Sequence, residues 1–161
     1  MIEVAREALW RQFGAAIDML GNAIRACPVE HWGRVGDWSA PWVLAHHTVF
    51  WLDFYLAPSR EGYQPPAPFG LEELDPAGVL PARVSRQEDL LDWLGSARDR
   101  CRAELADMTE SEAGRLCDQR PGMSRFELHI YNLRHVQHGA AQLNLLLRQR
   151  VDDAPRWVAR A

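Results

Sequence analysis

Apolar residues recur every three or four positions in several segments of this chain, and this spacing constrains its fold more than any other feature. The clearest segment is predicted from Ile2 to Cys27, and its apolar stripe consists of Ala5, Ala8, Leu9, Phe13, Ala16, Ile17, Leu20 and Ile24. Such spacing places the apolar side chains on one side of an α-helix, and that side must be covered by other helices. Convincing strand alternation is missing, apart from a short piece near Leu116. The sequence therefore predicts an all-α fold.

Three further helices follow from apolar periodicity and from the residues that open them. The second is predicted from Ser39 to Leu56, with Ser39 as its cap and Pro41 in its first turn, where a missing N–H is tolerated. The third is predicted from Ser85 to Met108 and the fourth from Ser124 to Arg150. Each of these two opens with a serine followed three residues later by a glutamate, which is the spacing of a capping box.

A long connection rich in proline and glycine, residues 57–84, joins the second and third predicted helices. It is too long for a tight turn, and its aromatic and leucine residues favour packing on the surface over disorder. Four helices joined in this way predict a four-helix bundle with long crossover connections. A chain of 161 residues suits one such domain, residues 1–161.

Charge and cysteine content exclude several classes of function. The net charge is −4, so the chain lacks the excess of basic residues with which nucleic-acid-binding proteins neutralise phosphates. No apolar run approaches the length of a membrane span, and the N-terminus lacks the apolar core of a signal peptide. The three cysteines form no CxxC pair. We therefore expect a cytoplasmic protein with free thiols that binds neither nucleic acid nor membrane.

Histidines in the second and fourth predicted helices are the candidate functional residues. A helical wheel places His47 near the middle of a wide apolar face, and His46 about a quarter turn away on a more exposed side. His135 and His138 lie on a second, mixed face of the fourth helix. Neutral imidazoles bind zinc, nickel, iron and copper, and three can leave an open side for water or substrate. An ordinary structural role for these residues stays open.

Three tryptophans outside the predicted helices complete the list of notable side chains. Trp32 and Trp38 bracket the loop before the second helix, where we expect them to line a pocket. Trp157 lies in the C-terminal tail, and we expect it to dock on the bundle or on a second subunit.

Two stretches, APWVLAHHTVFWLDFYL and ELHIYNLRHVQHGAAQLNLLLRQ, give the chain a family resemblance over nearly its whole length. The sequence resembles the DinB-like family, also described as DinB/YfiT-like metalloenzymes. The resemblance implies a four-helix bundle with crossover connections, a homodimer, and a divalent metal held by one histidine of the second helix and two of the fourth. It also implies similarity to thiol-dependent enzymes that use mycothiol or bacillithiol.

Carried onto this sequence, the resemblance identifies His47 and His135 as metal ligands. The third ligand of the family usually stands at the position of Gly139, so His138 is the predicted third ligand here, with zinc or nickel as the metal. Asp53 and Glu127 are candidates for carboxylates that support these ligands, although a solvated role is the simpler interpretation for both.

Two functions from different classes follow from this reasoning. The first is a metal-dependent enzyme, a thiol-dependent transferase or a hydrolase, whose partners are a small-molecule substrate and a low-molecular-weight thiol. The second is a non-catalytic bundle that has lost strong metal binding and binds a small ligand or a partner, in connection with a stress response.

Overall fold

The computed structural model describes all 161 residues, and its regular elements are all helices. Its helices are α1 (Ile2–Ala26), α2 (Val29–Trp32), α3 (Pro41–Leu56), α4 (Gln87–Asp107), α5 (Glu110–Gly114) and α6 (Arg125–Val151), with a 3₁₀ turn at Glu72–Leu74. There are no strands, only an isolated bridge between Leu116 and Ser124. The all-α class is confirmed, and the four long helices lie within two residues of their predicted bounds.

Local chemistry explains where two of these helices begin. Pro41 occupies the first turn of α3, where no helical hydrogen bond requires its N–H. Ser124 caps α6, because its Oγ accepts a hydrogen bond from the backbone N–H of Glu127 at 3.2 Å. A full capping box forms elsewhere, between Thr109 and Glu112 at the start of α5.

The capping roles predicted for Ser39 and Ser85 are wrong. Ala40 is the N-cap of α3, and the hydroxyl of Ser39 instead donates to the carboxylate of Asp37 at 2.7 Å. Helix α4 begins two residues later than expected, with Arg86 at its N-cap. The hydroxyl of Ser85 shares a hydrogen bond with a buried histidine of α3, which removes it from the helix terminus.

Helices α1 and α3 each pack against both α4 and α6. Their buried faces join in a single hydrophobic cluster, to which α1 contributes Phe13 and Leu20, and α6 contributes Leu143. Burial of this apolar surface is the main term that stabilises the fold. The arrangement places α3 directly beside α6, so that side chains of these two helices can form a common site.

The long connection, residues 57–86, packs on the helices, as expected. Tyr63 and Phe69 lie against the core, and the hydroxyl of Tyr63 donates to Asp53 of α3 at 2.7 Å. Asp53 is 2% exposed and also pairs with Arg100 of α4. The same connection carries Glu73 to the other end of α3, where it contacts a candidate functional residue.

The C-terminal tail returns along α1. The backbone N–H of Ala161 donates to the carbonyl of Arg11 at 2.9 Å, and Val158 packs against the core. Trp157 itself is 68% exposed, so the expectation that it docks on its own bundle is wrong. Among the helices, none combines the length and the apolar character that crossing a membrane requires.

Candidate functional site

His47 of α3 and His135 of α6 face each other across the contact between their helices. Their ring centroids are 5.4 Å apart and the rings are inclined by 63°. The Nε2 atom of His135 is buried and has no hydrogen-bond partner in the protein. Two imidazoles from different helices are thus close enough to act on one ligand, as the sequence predicted.

A carboxylate that the sequence analysis missed orients His47. Nδ1 of His47 donates to Oε2 of Glu73 at 2.7 Å, and Nε1 of Trp51 donates to the same oxygen at 2.9 Å. Burial raises the pKa of Glu73, but these hydrogen bonds outweigh burial and hold that pKa below its ordinary value. Glu73 is therefore ionised at neutral pH, and it fixes the proton of His47 on Nδ1, leaving Nε2 as the free nitrogen.

The environment of His135 keeps this imidazole neutral. Burial lowers its pKa most strongly and the nearby His47 lowers it further, to about 4. A neutral ring has a lone pair on one nitrogen, which can accept a proton or bind a metal. The ring also lies edge-on to Tyr55, with the centroids 6.5 Å apart, so its orientation is fixed by packing.

The predicted positions of His46 and His47 relative to solvent are wrong. His46 is 2% exposed and lies among the rings of Trp42, Phe50 and Trp93, while its Nδ1 shares a hydrogen bond of 2.8 Å with Ser85. The side chain of His47 is 46% exposed. Burial lowers the pKa of His46 and favours its neutral form. His46 is therefore a core residue, and His47 borders solvent while it faces His135.

Position 139 is closed to any larger side chain. A Cβ atom placed on Gly139 would lie 2.6 Å from Cγ2 and 3.0 Å from Cβ of Thr48, and closer still to its Oγ1. Thr48 is fully buried on α3, and its hydroxyl donates to the carbonyl of Leu44 at 2.7 Å. Glycine at position 139 thus allows α3 and α6 to approach closely, with the side chain of Thr48 packed against it.

His138, the predicted third ligand, lies on the exposed side of α6. It is near enough to contribute to the lowered pKa of His135. No three His, Cys, Asp or Glu side chains converge in an arrangement that could hold a metal ion. The structure brings His47 and His135 together, and the role of His138 stays a prediction.

Neither predicted supporting carboxylate lies at this site. The solvated role expected for Asp53 is wrong, because its carboxylate is buried against Tyr63 and Arg100 on the α4 side of α3. Glu127 is exposed in the first turn of α6. Glu73 takes the place predicted for them. The sequence gives little indication of this role for Glu73. The residue lies in an irregular connection, and apolar periodicity does not predict the path of such a segment.

A pocket of about 270 Å³ opens beside His47 and Glu73. Its other side chains are apolar except for Glu72, and the apolar ones are Trp38, Val43, Leu44, Val79 and Leu80. Trp38 thus lines a pocket, as expected. Trp32 does not, because it is buried and its Nε1 donates to the carbonyl of Ser85 at 2.7 Å.

Comparison with known proteins gives one match. The family model described as the DinB superfamily matches residues 12–143, which include α3, its partner histidine on α6 and most of the hydrophobic cluster. Neither the curated proteins nor the solved structures contain a significant match. The matched region covers far more than half of the chain, and the chain therefore belongs to the DinB superfamily.

Proposed function

We propose that this protein is an enzyme that acts on a small thiol or a small electrophile at the His47–His135 pair, with zinc or nickel as its cofactor. The observation that carries the proposal is the 5.4 Å separation of two imidazoles supplied by different helices. A transferase and a hydrolase are both compatible with such a site, because the same bound ion can activate a thiol or a water molecule.

Two of the three predicted ligands fit a divalent metal. Glu73 accepts a hydrogen bond from the Nδ1–H of His47, which is the arrangement that commonly orients a metal-binding imidazole. His135 is neutral and has a buried Nε2 without a protein partner. A divalent ion bound by this pair would lower the pKa of a thiol or water that joined it.

The protein residues also provide for binding and orientation of a substrate. The apolar pocket beside His47 can take the hydrocarbon part of a small molecule, since its volume of about 270 Å³ exceeds that of a cavity that holds benzene. Glu73 keeps the ring of His47 oriented through its hydrogen bond to Nδ1–H. Packing against Tyr55 keeps the ring of His135 facing the pair.

The third ligand is the weakest part of the metal proposal. The side chain of His138 is exposed and would have to turn toward the pair to complete the predicted set of His47, His135 and His138. The contact between Gly139 and Thr48 favours the second candidate function, in which the bundle binds a small ligand or a partner without catalysis. Thr48 fills the space that a third ligand at position 139 would need.

Metal analysis of protein purified without a histidine tag distinguishes the two functions. We expect zinc or nickel to bind after equilibrium dialysis, and binding to be lost in His47→Ala and in His135→Ala. His31→Ala is the matched control, because this histidine lies in α2, away from the pair. Absence of binding by the unsubstituted protein, or equal binding by all the variants, would overturn the metalloenzyme proposal in favour of the non-catalytic one.

The arrangement of the helices and the assembly are proposals of the same kind. Because α1 and α3 each pack on both α4 and α6, we infer a bundle in which α1 lies diagonal to α3, joined by crossover connections.

A cytoplasmic homodimer is proposed as well. Ile130 and Leu145 of α6 are 42% and 53% exposed and are candidate contacts for it. Analytical ultracentrifugation of Leu145→Glu, expected to be monomeric, tests this surface.

A further inference from the structure

Arg120, in the loop between α5 and α6, is clamped by two tyrosines next to the candidate site. Its Nη2 donates to the hydroxyl oxygens of Tyr55, at 3.0 Å, and of Tyr131. Its Cζ also lies 5.6 Å and 4.8 Å from the centroids of these two rings, which is the geometry of a cation–π contact. The guanidinium is therefore held in one place, although Arg120 is exposed.

This cluster is continuous with the histidine pair. Tyr55 connects the two, because its ring centroid is 5.4 Å from that of Tyr131 and 6.5 Å from that of His135. Along α3, His47 and Tyr55 are separated by eight positions, which corresponds to a rise of roughly 12 Å. A molecule of that length could contact both the imidazoles and Arg120.

The positive charge of Arg120 is not neutralised by a carboxylate of the protein. No carboxylate of the chain forms an ion pair with Arg120, although the net charge of the chain is −4. Tyr55 and Tyr131 accept hydrogen bonds from Arg120, and their hydroxyl groups also lie within hydrogen-bonding reach of each other. A guanidinium and two phenol hydroxyls that converge in this way match the oxygens of a carboxylate or a phosphate.

We propose that Arg120, Tyr55 and Tyr131 form a subsite for an oxyanion group of the substrate, whose reacting end lies at the His47–His135 pair. The substrate would thus be an anionic small molecule about two helical turns long. The position of its reacting end rests on the proposed function, whereas oxyanion binding at Arg120 does not.

Fluorine NMR on protein labelled with 3-fluorotyrosine tests the subsite. The chain has three tyrosines, and Tyr63 is an internal control because it hydrogen-bonds to buried Asp53. The probes are sodium acetate and sodium phosphate, each compared with sodium chloride at equal ionic strength. We expect saturable shifts of the signals of Tyr55 and Tyr131, and none for Tyr63.

Variants of two arginines in the same loop region identify the residue responsible. Arg120→Gln is expected to weaken acetate or phosphate binding by about tenfold or more, and Arg120→Lys to weaken it less, because lysine keeps the charge but not the planar fork. Arg115→Gln, the matched control at an exposed position, is expected to have no effect. Stronger binding of acetate would indicate a carboxylate in the substrate, and stronger binding of phosphate a phosphate.

Two results would overturn the subsite: shifts no larger than those in sodium chloride, or equal shifts in Arg120→Gln. These outcomes are independent of metal binding at the histidines. Saturable shifts with no bound metal would support the subsite and contradict the metalloenzyme proposal. Metal binding without the shifts would support the metalloenzyme proposal and contradict the subsite.

Discussion

Substitution of Gly139 by alanine tests the close contact between α3 and α6 that shapes the candidate site. In an open helix this change stabilises a protein by about 1 kcal/mol, because alanine has the higher helix propensity. Here the new Cβ would lie 2.6 Å from Cγ2 and 3.0 Å from Cβ of Thr48. Thr48 is fully buried and its hydroxyl is fixed by Leu44, so relief requires a shift of the helices.

Overpacking of a core by one such group costs about 1–3 kcal/mol. Since the clash involves several atoms of Thr48, we expect its cost to exceed the gain in propensity. Gly139→Ala should therefore lower the free energy of unfolding, by up to about 2 kcal/mol. Urea denaturation followed by far-UV circular dichroism measures this quantity, provided that the slope of the transition is unchanged.

The chain offers a matched control and a second-site test. Gly95 lies in α4, and a Cβ there would have no atom within 4 Å, so Gly95→Ala should stabilise the protein. In the background of Thr48→Ala, the Gly139→Ala change should cost about 1 kcal/mol less, which a double-mutant cycle detects. If Gly139→Ala stabilises the protein as much as Gly95→Ala does, the close contact and its consequence for a third ligand are wrong.

Three further predictions concern other parts of the molecule. His46→Ala should lower the free energy of unfolding by about 2–4 kcal/mol, because it leaves a cavity and an unpaired Ser85. His47→Ala should change the free energy of unfolding by less than about 1 kcal/mol. Thermal denaturation compares the two variants, and equal losses of stability would contradict the environments assigned to these histidines. Burial raises the pKa of Glu104, but contacts with His129 and Arg125 outweigh it and lower this pKa to about 2. Its contribution is therefore present above its unfolded pKa near 4.5 and is lost as the pH falls toward 2. The stability difference between the protein and Glu104→Gln should shrink over that range, and a constant difference in urea titrations would refute the assignment. Finally, Cys27 and Cys101 are 3% and 0% exposed, and burial raises the pKa of both thiols. Only Cys117 should therefore react rapidly with Ellman's reagent in the folded protein. Fast reaction of all three thiols would contradict this prediction.

The helices could be predicted from the sequence because their signals are local. The apolar stripe of α1 and the proline in the first turn of α3 place both helices almost correctly. The resemblance of the two histidine-containing stretches to the DinB-like family then identified His47 and His135 as candidate site residues. These two residues lie together in the structure because α3 and α6 are direct neighbours.

The environment of single residues on α3 could not be predicted in the same way. This helix is apolar on nearly every side, so a helical wheel shows no single buried face on which to place His46 and His47. Ser85 was assigned to a helix cap, since the sequence contains no sign of the tertiary hydrogen bond to His46 that determines its position. Glu73 is brought to His47 by an irregular connection, and only the fold shows where that connection passes.

The central claim is that His47 and His135 form one site, and nitrogen NMR of the imidazoles during a zinc titration tests it most directly. We predict that the ring nitrogen signals of both residues change together at the same zinc equivalent, while those of His46 and His129, which are buried in the core, stay constant. A matching change for His138 would establish the third ligand. If His47 and His135 respond at different zinc concentrations, or neither responds, the two imidazoles do not share a ligand and the account is contradicted.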